Sequence, residues 1–239
     1  MSELFQPLWP DGPLFRQAEH FRLSTDSVLL ADFIRPEAAR RGVDLGCGSG
    51  ILALLLLVRT EKLDMTGLEL LPEAAALACE NLAANGLAAR GRAVCGDIRR
   101  VRELFAAGSF DLAAANPPYY PVSGGALSPD PGRAAARSEL TCTLDELCAA
   151  AAWLLRSGGS FSLVYKPERL SELFVRLTAH GLEPKRLRLV CERAGSEPCL
   201  ALVESRRGGK TGLRVEPCLP LRDPDGAPSG EQRRIYHLS

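Results

Sequence analysis

From residue 42 to about residue 204, short apolar runs alternate with longer stretches of helical periodicity. That alternation leaves few folds open. Strands that follow one another through helices pair in parallel, and their crossover helices must cover both faces of the sheet. The apolar runs 43–45, 65–70, 92–95, 110–115, 161–165, 186–190 and 199–204 predict seven strands, the last two as a hairpin. Helices are expected over 50–59, 72–85, 143–156 and 168–180. The third has Thr141 or Thr143 as its cap and Gly158-Gly159 as its stop, and Gly181 closes the fourth. The prediction is an α/β, doubly wound, mostly parallel seven-stranded sheet over residues 41–207.

Residues 1–40 read as an N-terminal hairpin-and-helix appendage. Leu14-Phe15-Arg16 and Phe21-Arg22-Leu23 form the expected extended pair, and Ser24-Thr25-Asp26 opens a helix that Pro36 ends. Residues 124–133, rich in Gly, Pro and Ser, form a loop too long for a minimal connection. The tail, 208–239, has no clear periodicity from Pro217 onward. The 239 residues make one domain.

A hydrophobic content of 46% excludes a disordered chain, and 29 basic against 29 acidic residues exclude a general coat for polyanions or membranes. A local basic face stays open. Residues 182–214 hold eight cations (Lys185, Arg186, Arg188, Arg193, Arg206, Arg207, Lys210, Arg214) against four acids, an expected phosphate-steering patch. The eight cysteines include no CxxC pair and no nearby histidine at metal-ligand spacing, so no metal is expected. His20, His180 and His237 are scattered and read as structural. Residues 1–11 lack the apolar core of a signal peptide, and the longest apolar run, 51–58, is too short for a bilayer. The expectation is a reduced, cytoplasmic, soluble protein acting as a monomer and away from membranes.

Asp44-Leu45-Gly46-Cys47-Gly48-Ser49-Gly50 falls between the first core strand and its helix. In a doubly wound sheet that turn is the usual cofactor site, and glycines let the backbone approach a ligand. The spacing is GxGxG rather than the GxGxxG of dinucleotide binders, and Asp44 stands two residues before it. An acid there repels a pyrophosphate and suits a cationic sulfonium, so the expected cofactor is S-adenosylmethionine. Glu69, followed by Leu70, closes the second core strand, where a carboxylate can accept from ribose hydroxyls. Gly96-Asp97-Ile98 ends the third, where Asp can accept from an adenine amine.

Asn116-Pro117-Pro118-Tyr119 directly follows the fourth core strand, at the same rim as the glycine turn. The prolines fix the backbone. The Asn116 side-chain oxygen and the Pro117 carbonyl can grip both hydrogens of a planar amine, and Tyr119 offers a ring for stacking. Asn is no base at neutral pH, so such a centre works by orientation.

From residue 21 to about 204 these features resemble the class I methyltransferases. The resemblance implies that Gly46, Gly48 and Gly50, with Cys47, cradle the amino-acid end of the cofactor. Glu69 then holds its ribose and Asp97 its adenine, while Thr25 and Asp26 lie beneath its methionine moiety. NPPY enzymes methylate adenine N6, guanine N2 or a protein glutamine amide. Residues 21–33, 44–50 and 116–120, and Ala136-Arg137-Ser138-Glu139 followed by Thr143-Leu144, are similar to the bacterial YfiC-like family. That likeness implies methylation of adenine N6 beside the anticodon of valine tRNA, with Tyr119, Tyr120, Arg133 and Arg137 toward the substrate. Two departures stand out: Ser138 replaces the family's usual His, and Pro121-Val122-Ser123 follows Tyr120. The alternatives are rRNA guanine N2, a protein glutamine, or a cofactor- and RNA-binding module without catalysis. Glutamine methyltransferases usually carry a helical N-terminal domain, whereas about 40 residues precede the glycine turn.

Overall fold

The computed structural model describes residues 5–17, 25–117 and 142–238. Its strands are β1 (Gln6–Pro7), β2 (Leu14–Phe15), β3 (Arg41–Leu45), β4 (Asp64–Glu69), β5 (Gly91–Cys95), β6 (Phe110–Ala115), β7 (Leu155–Tyr165), β8 (Leu182–Arg193), β9 (Pro198–Arg207), β10 (Arg214–Val215) and β11 (Leu219–Arg222). Its helices are α1 (Thr25–Phe33), α2 (Ile51–Arg59), α3 (Pro72–Ala84), α4 (Val101–Leu104), α5 (Leu144–Leu154), α6 (Leu170–Ala179) and α7 (Gly230–Tyr236).

Neighbouring strands run in the order β10-β8-β9-β7-β6-β3-β4-β5, with β11 also on β8. The strands β7, β6, β3, β4 and β5 are mutually parallel, and β9 lies antiparallel between β7 and β8. All seven predicted strands are present. The sheet nonetheless has nine, because the C-terminal segment adds β10 and β11 along the open edge of β8, with Arg214 opposite Arg186 and Leu219 opposite Val190. An open edge leaves backbone donors and acceptors unpaired, and these two short strands satisfy some of them.

Helices cover both faces. One core joins Phe15, α1 and α2 to Met65, Val164 and Ile235, and a second joins α5 and α6 to Val43, Leu68, Phe161 and Val203. From β3 the chain moves outward through β4 to β5, then returns to place β6 on the other side of β3. Connections therefore diverge at the C-terminal ends of β3 and β6, which opens a crevice there.

Three local expectations change. Helix α5 starts as expected, with Thr143 and Glu146 forming a reciprocal cap, but it ends at Leu154 rather than at Gly158-Gly159. Leu155 is fully buried opposite Phe110, so sheet pairing captures the residues that helical periodicity would continue. At the N-terminus, Leu14–Phe15 pairs with Gln6–Pro7; residues 21–23, the partner expected from the sequence, lie outside the described residues. Pro10-Asp11-Gly12 makes the turn, with Gly12 N–H donating to Trp9 O at 2.8 Å. The tail is ordered too: Ser229 caps α7 by accepting from Gln232 N–H.

Candidate active site

Pairing registers assemble the rim. Asp44 stands opposite Gly67 and Ala114, and Glu69 opposite Cys95. The ends of four adjacent strands thus bring Asp44, Glu69, Asp97 and Asn116 to one side of the sheet.

The glycine turn is anchored by Gly46 N–H and Cys47 N–H, both donating to Leu68 O, at 2.8 and 3.2 Å. Gly46 and Gly48 have φ of +76° and +53°, and a Cβ at either would meet nothing within 4 Å. Their backbone therefore faces open space, as a ligand cradle requires. Gly50 differs: a Cβ there would come within 2.9 Å of Ala78 on α3, so it serves helix packing. The Cys47 side chain is also turned away from the rim, filling the space above Gly67. Burial first, then the charges of Asp44 and Glu69, pushes its thiol well up, which leaves it a small apolar filler.

Asp44 is 2% exposed. Its pKa is pushed up to about 7, chiefly by burial and further by Glu69. A carboxylate so placed favours a cation in the crevice. Glu69 is buried as well, and both its oxygens take backbone donors: Oε2 from Gly48 at 2.8 Å and Oε1 from Leu71 at 3.1 Å. It therefore shapes the glycine turn, with lone pairs remaining for a ligand hydroxyl.

Asp97 caps the 3-10 turn Ile98–Arg100, accepting from Arg99 N–H at 2.8 Å, and pairs with the Arg99 guanidinium. That guanidinium holds the Asp97 carboxyl below the usual carboxylate range. Beside it, Leu70 is 39% exposed and Ile98 half-buried, an apolar shelf at the end of β4 and β5. At Gly96 a Cβ would strike Leu104, so its smallness serves packing.

Asn116 donates from Nδ2 to the Ser27 hydroxyl at 2.9 Å. Pro117 follows it, half-buried. At the start of α1, Thr25 is exposed and Asp26 half-buried, and Tyr236 Oη donates to Thr25 O at 3.1 Å. Pro118, Tyr119, Tyr120, Arg133 and Arg137, together with residues 136–139 and Thr141, lie outside the described residues.

Sequence reasoning missed three supports. Ser27 is buried in α1 and meets Asn116. Asn81, fully buried in α3, donates to Ser49 O in the glycine turn. The C-terminal helix reaches α1 through Tyr236 and through Arg234, which pairs with Asp32. Only the last had a local signal, the Ser229-x-x-Gln232 spacing of a helix start.

The expected basic patch of residues 182–214 does not form one face toward this rim. Arg186 is buried on Glu204, Glu216 and Phe33 O. Arg188 binds Glu231 and Pro217 O, and Arg207 binds backbone carbonyls of Trp153 and Leu155. Lys185, Arg206 and Arg207 lie at the opposite end of the sheet, since β9 runs antiparallel to β7. Arg193, at the end of β8, is on the rim side. Among the described residues no group of three His, Cys, Asp or Glu side chains could hold a metal ion, and no helix is long and apolar enough to cross a membrane.

Residues 20–178 match the methyltransferase small domain family model. The chain is 35% identical over 212 residues to the tRNA1(Val) (adenine(37)-N6)-methyltransferase of Tolumonas auensis, covering 88% of this chain and 86% of that protein. It is 34% identical over 191 residues to the protein of the same name from Porphyromonas gingivalis, covering 77% and 74%. Among solved structures, a predicted O-methyltransferase from Agrobacterium tumefaciens superposes with a TM-score of 0.74 at 21% identity, over 90% of this chain and 96% of that one. TrmN from Thermus thermophilus does so with a TM-score of 0.55 at 22% identity, over 76% and 48%. The fold is that of the class I methyltransferases, and with its family model spanning most of the chain and relatives at 34–35% identity aligned over 74–88% of either chain, the chain belongs to the methyltransferase small domain family.

Proposed function

We propose that this protein transfers a methyl group from S-adenosylmethionine to N6 of an adenine beside the anticodon of a tRNA. The observation that carries the reading is the placement of a buried carboxylate, Asp44, beneath an open glycine turn and one strand from Asn116. The relatives named for adenine(37)-N6 methylation of tRNA1(Val) supply the base and the nucleic acid.

The residues present fit the cofactor. Gly46 and Gly48 offer bare backbone to its amino-acid end, Asp44 faces positive charge, and Glu69 has acceptor capacity for ribose. The Leu70 and Ile98 shelf beside Asp97 suits a flat base. Thr25 and Asp26 lie at the methionine end, and Cys47 contributes backbone alone. When bound, S-adenosylmethionine supplies an electrophilic methyl group on a positively charged sulfur.

The chain's own residues do the rest. Asn116 Oδ1 and Pro117 O accept the two hydrogens of the adenine amine, which turns the nitrogen lone pair out of conjugation and toward the methyl group. Pro118 stiffens that turn, and Tyr119 stacks on the base, with Tyr120, Arg133 and Arg137 toward the RNA. Orientation of this kind lowers a barrier by as much as about 7–11 kcal/mol. An anticodon-loop adenine is already unpaired, so presenting it costs a few kcal/mol at most.

The proposed enzyme acts as a monomer with 41–207 as its catalytic core. A tRNA substrate supports a cytoplasmic location. The test is nucleoside mass spectrometry of tRNA incubated with the protein and methyl-labelled cofactor. Label in N6-methyladenosine is expected; label confined to N2-methylguanosine or to protein sinks the reading. Asn116→Ala should lower turnover by about 10²–10³ with cofactor affinity kept.

A further inference from the structure

We infer that Ser27 is a positioning residue for methyl transfer, holding the Asn116 amide with its carbonyl oxygen toward the acceptor amine. The inference rests on the reading of Asn116 given above and assigns it a partner from a different part of the fold.

A primary amide has two ends of similar size and opposite hydrogen-bonding sense. Its terminal torsion is broad and roughly two-fold, so nothing in the side chain itself prefers one end. With the oxygen forward, Asn116 accepts from an amine; with the nitrogen forward it offers hydrogens to hydrogens and repels the amine. Something outside the residue must choose. Asn116 Nδ2 donates to Ser27 Oγ at 2.9 Å, across 89 positions of chain, so α1 engages the nitrogen end of the amide. Ser27 is only 5% exposed, so water competes weakly for the hydroxyl.

The hydroxyl must itself be held still for this to work. Ser27 lies in the first turn of α1, and that helix is tied down at both ends from the C-terminal helix. Tyr236 Oη donates to Thr25 O at 3.1 Å, and Arg234 grips both oxygens of Asp32 at 2.8 and 3.0 Å. The burial of Val28, Leu29 and Leu30 fixes the helix against the sheet. The amide that meets the substrate is thus referenced to a helix from a distant part of the chain.

The test is a double-mutant cycle on Ser27 and Asn116, read as kcat and KM on an unmodified valine-tRNA transcript, with cofactor Kd by calorimetry. Ser27→Ala should lower kcat roughly 5- to 10-fold, the worth of one hydrogen bond, leave cofactor Kd unchanged and lower the thermal midpoint by only about 2–4 °C. In the Asn116→Ala background, adding Ser27→Ala should change kcat no further. Wild-type kcat in Ser27→Ala overturns the inference, as does an equal loss in both backgrounds or a parallel loss of cofactor binding. Full activity in Asn116→Ala alone overturns the reading of Asn116 itself, an outcome separate from failure at Ser27.

Discussion

Asn81 Nδ2 donates to the Ser49 carbonyl at 2.9 Å, joining α3 to the glycine turn from beneath. The same side chain pairs with the backbone of Arg16, accepting its N–H at 2.8 Å and donating to its carbonyl at 3.1 Å. One turn later Asn85 does the same with Leu14, at 2.8 and 2.7 Å. Two amides spaced i, i+4 on a helix therefore act as a strand partner for β2. The N-terminal segment and the cofactor turn share one buried joint.

Asn81→Ala should unfasten both. It leaves the buried Ser49 O and two half-buried Arg16 backbone groups without that partner, a loss of about 2–4 kcal/mol of stability. Urea unfolding should show it, with a weaker cofactor Kd alongside. An unchanged midpoint would mean that solvent replaces all three bonds.

Asp44 should make stability and cofactor binding respond oppositely to pH. Its folded pKa, about 7, exceeds the ordinary 3.8, so the folded state holds its proton more tightly than the unfolded one. The contribution is full below about pH 4 and is lost as pH rises through 7, on the order of 4 kcal/mol in total. Asp44→Asn should then raise the unfolding midpoint of the ligand-free protein at pH 8 while weakening cofactor binding. In the unaltered protein, cofactor affinity should fall about tenfold from pH 8 to pH 6, with proton release measurable by calorimetry in buffers of different ionisation heat.

Two glycines in one turn should fail differently. Gly48→Ala meets open space, so its loss is the left-handed backbone strain alone, about 1 kcal/mol. Its methyl group protrudes into the crevice, and cofactor affinity should drop by more than stability does. Gly50→Ala drives a carbon against Ala78 as well, and should cost about 2–4 kcal/mol of folding stability. Chemical denaturation and calorimetry on both variants separate the two effects.

Arg186 should behave as a core residue and not as a phosphate contact. Its guanidinium lies 4.1 Å from the centre of the Phe33 ring and bonds Glu204 at 2.7 Å and Glu216 at 3.1 Å. Arg186→Ala strips the buried Glu204 carboxylate of its close partner, leaves Glu216 to Arg35, and should lower stability by about 3–5 kcal/mol. Replacing Lys185, Arg206 and Lys210 together, at the far end of the sheet, should leave the salt dependence of tRNA binding unchanged. A shallower salt slope would return that surface to the RNA interface.

The amino-acid order by itself determined the strand-helix alternation, the glycine turn and the Asn116-Pro117 corner, because each depends on periodicity or turn chemistry within a few residues. It also carried Asp44 and Glu69 to the rim, since Glu69 ends its core strand and Asp44 stands one residue from the end of its own. Tertiary structure alone decided what those residues touch. Glu69 shapes the glycine turn, Asn116 leans on Ser27, and β2 and Arg16 beside it are partnered by Asn81 and Asn85 at the end of α3. It also dispersed the late cations, which lie close in sequence yet point into the core, along the C-terminal segment and toward the far end of the sheet. These pairings join residues tens of positions apart. Their geometry follows from strand register and helix packing, which the whole core sets at once and no local pattern encodes.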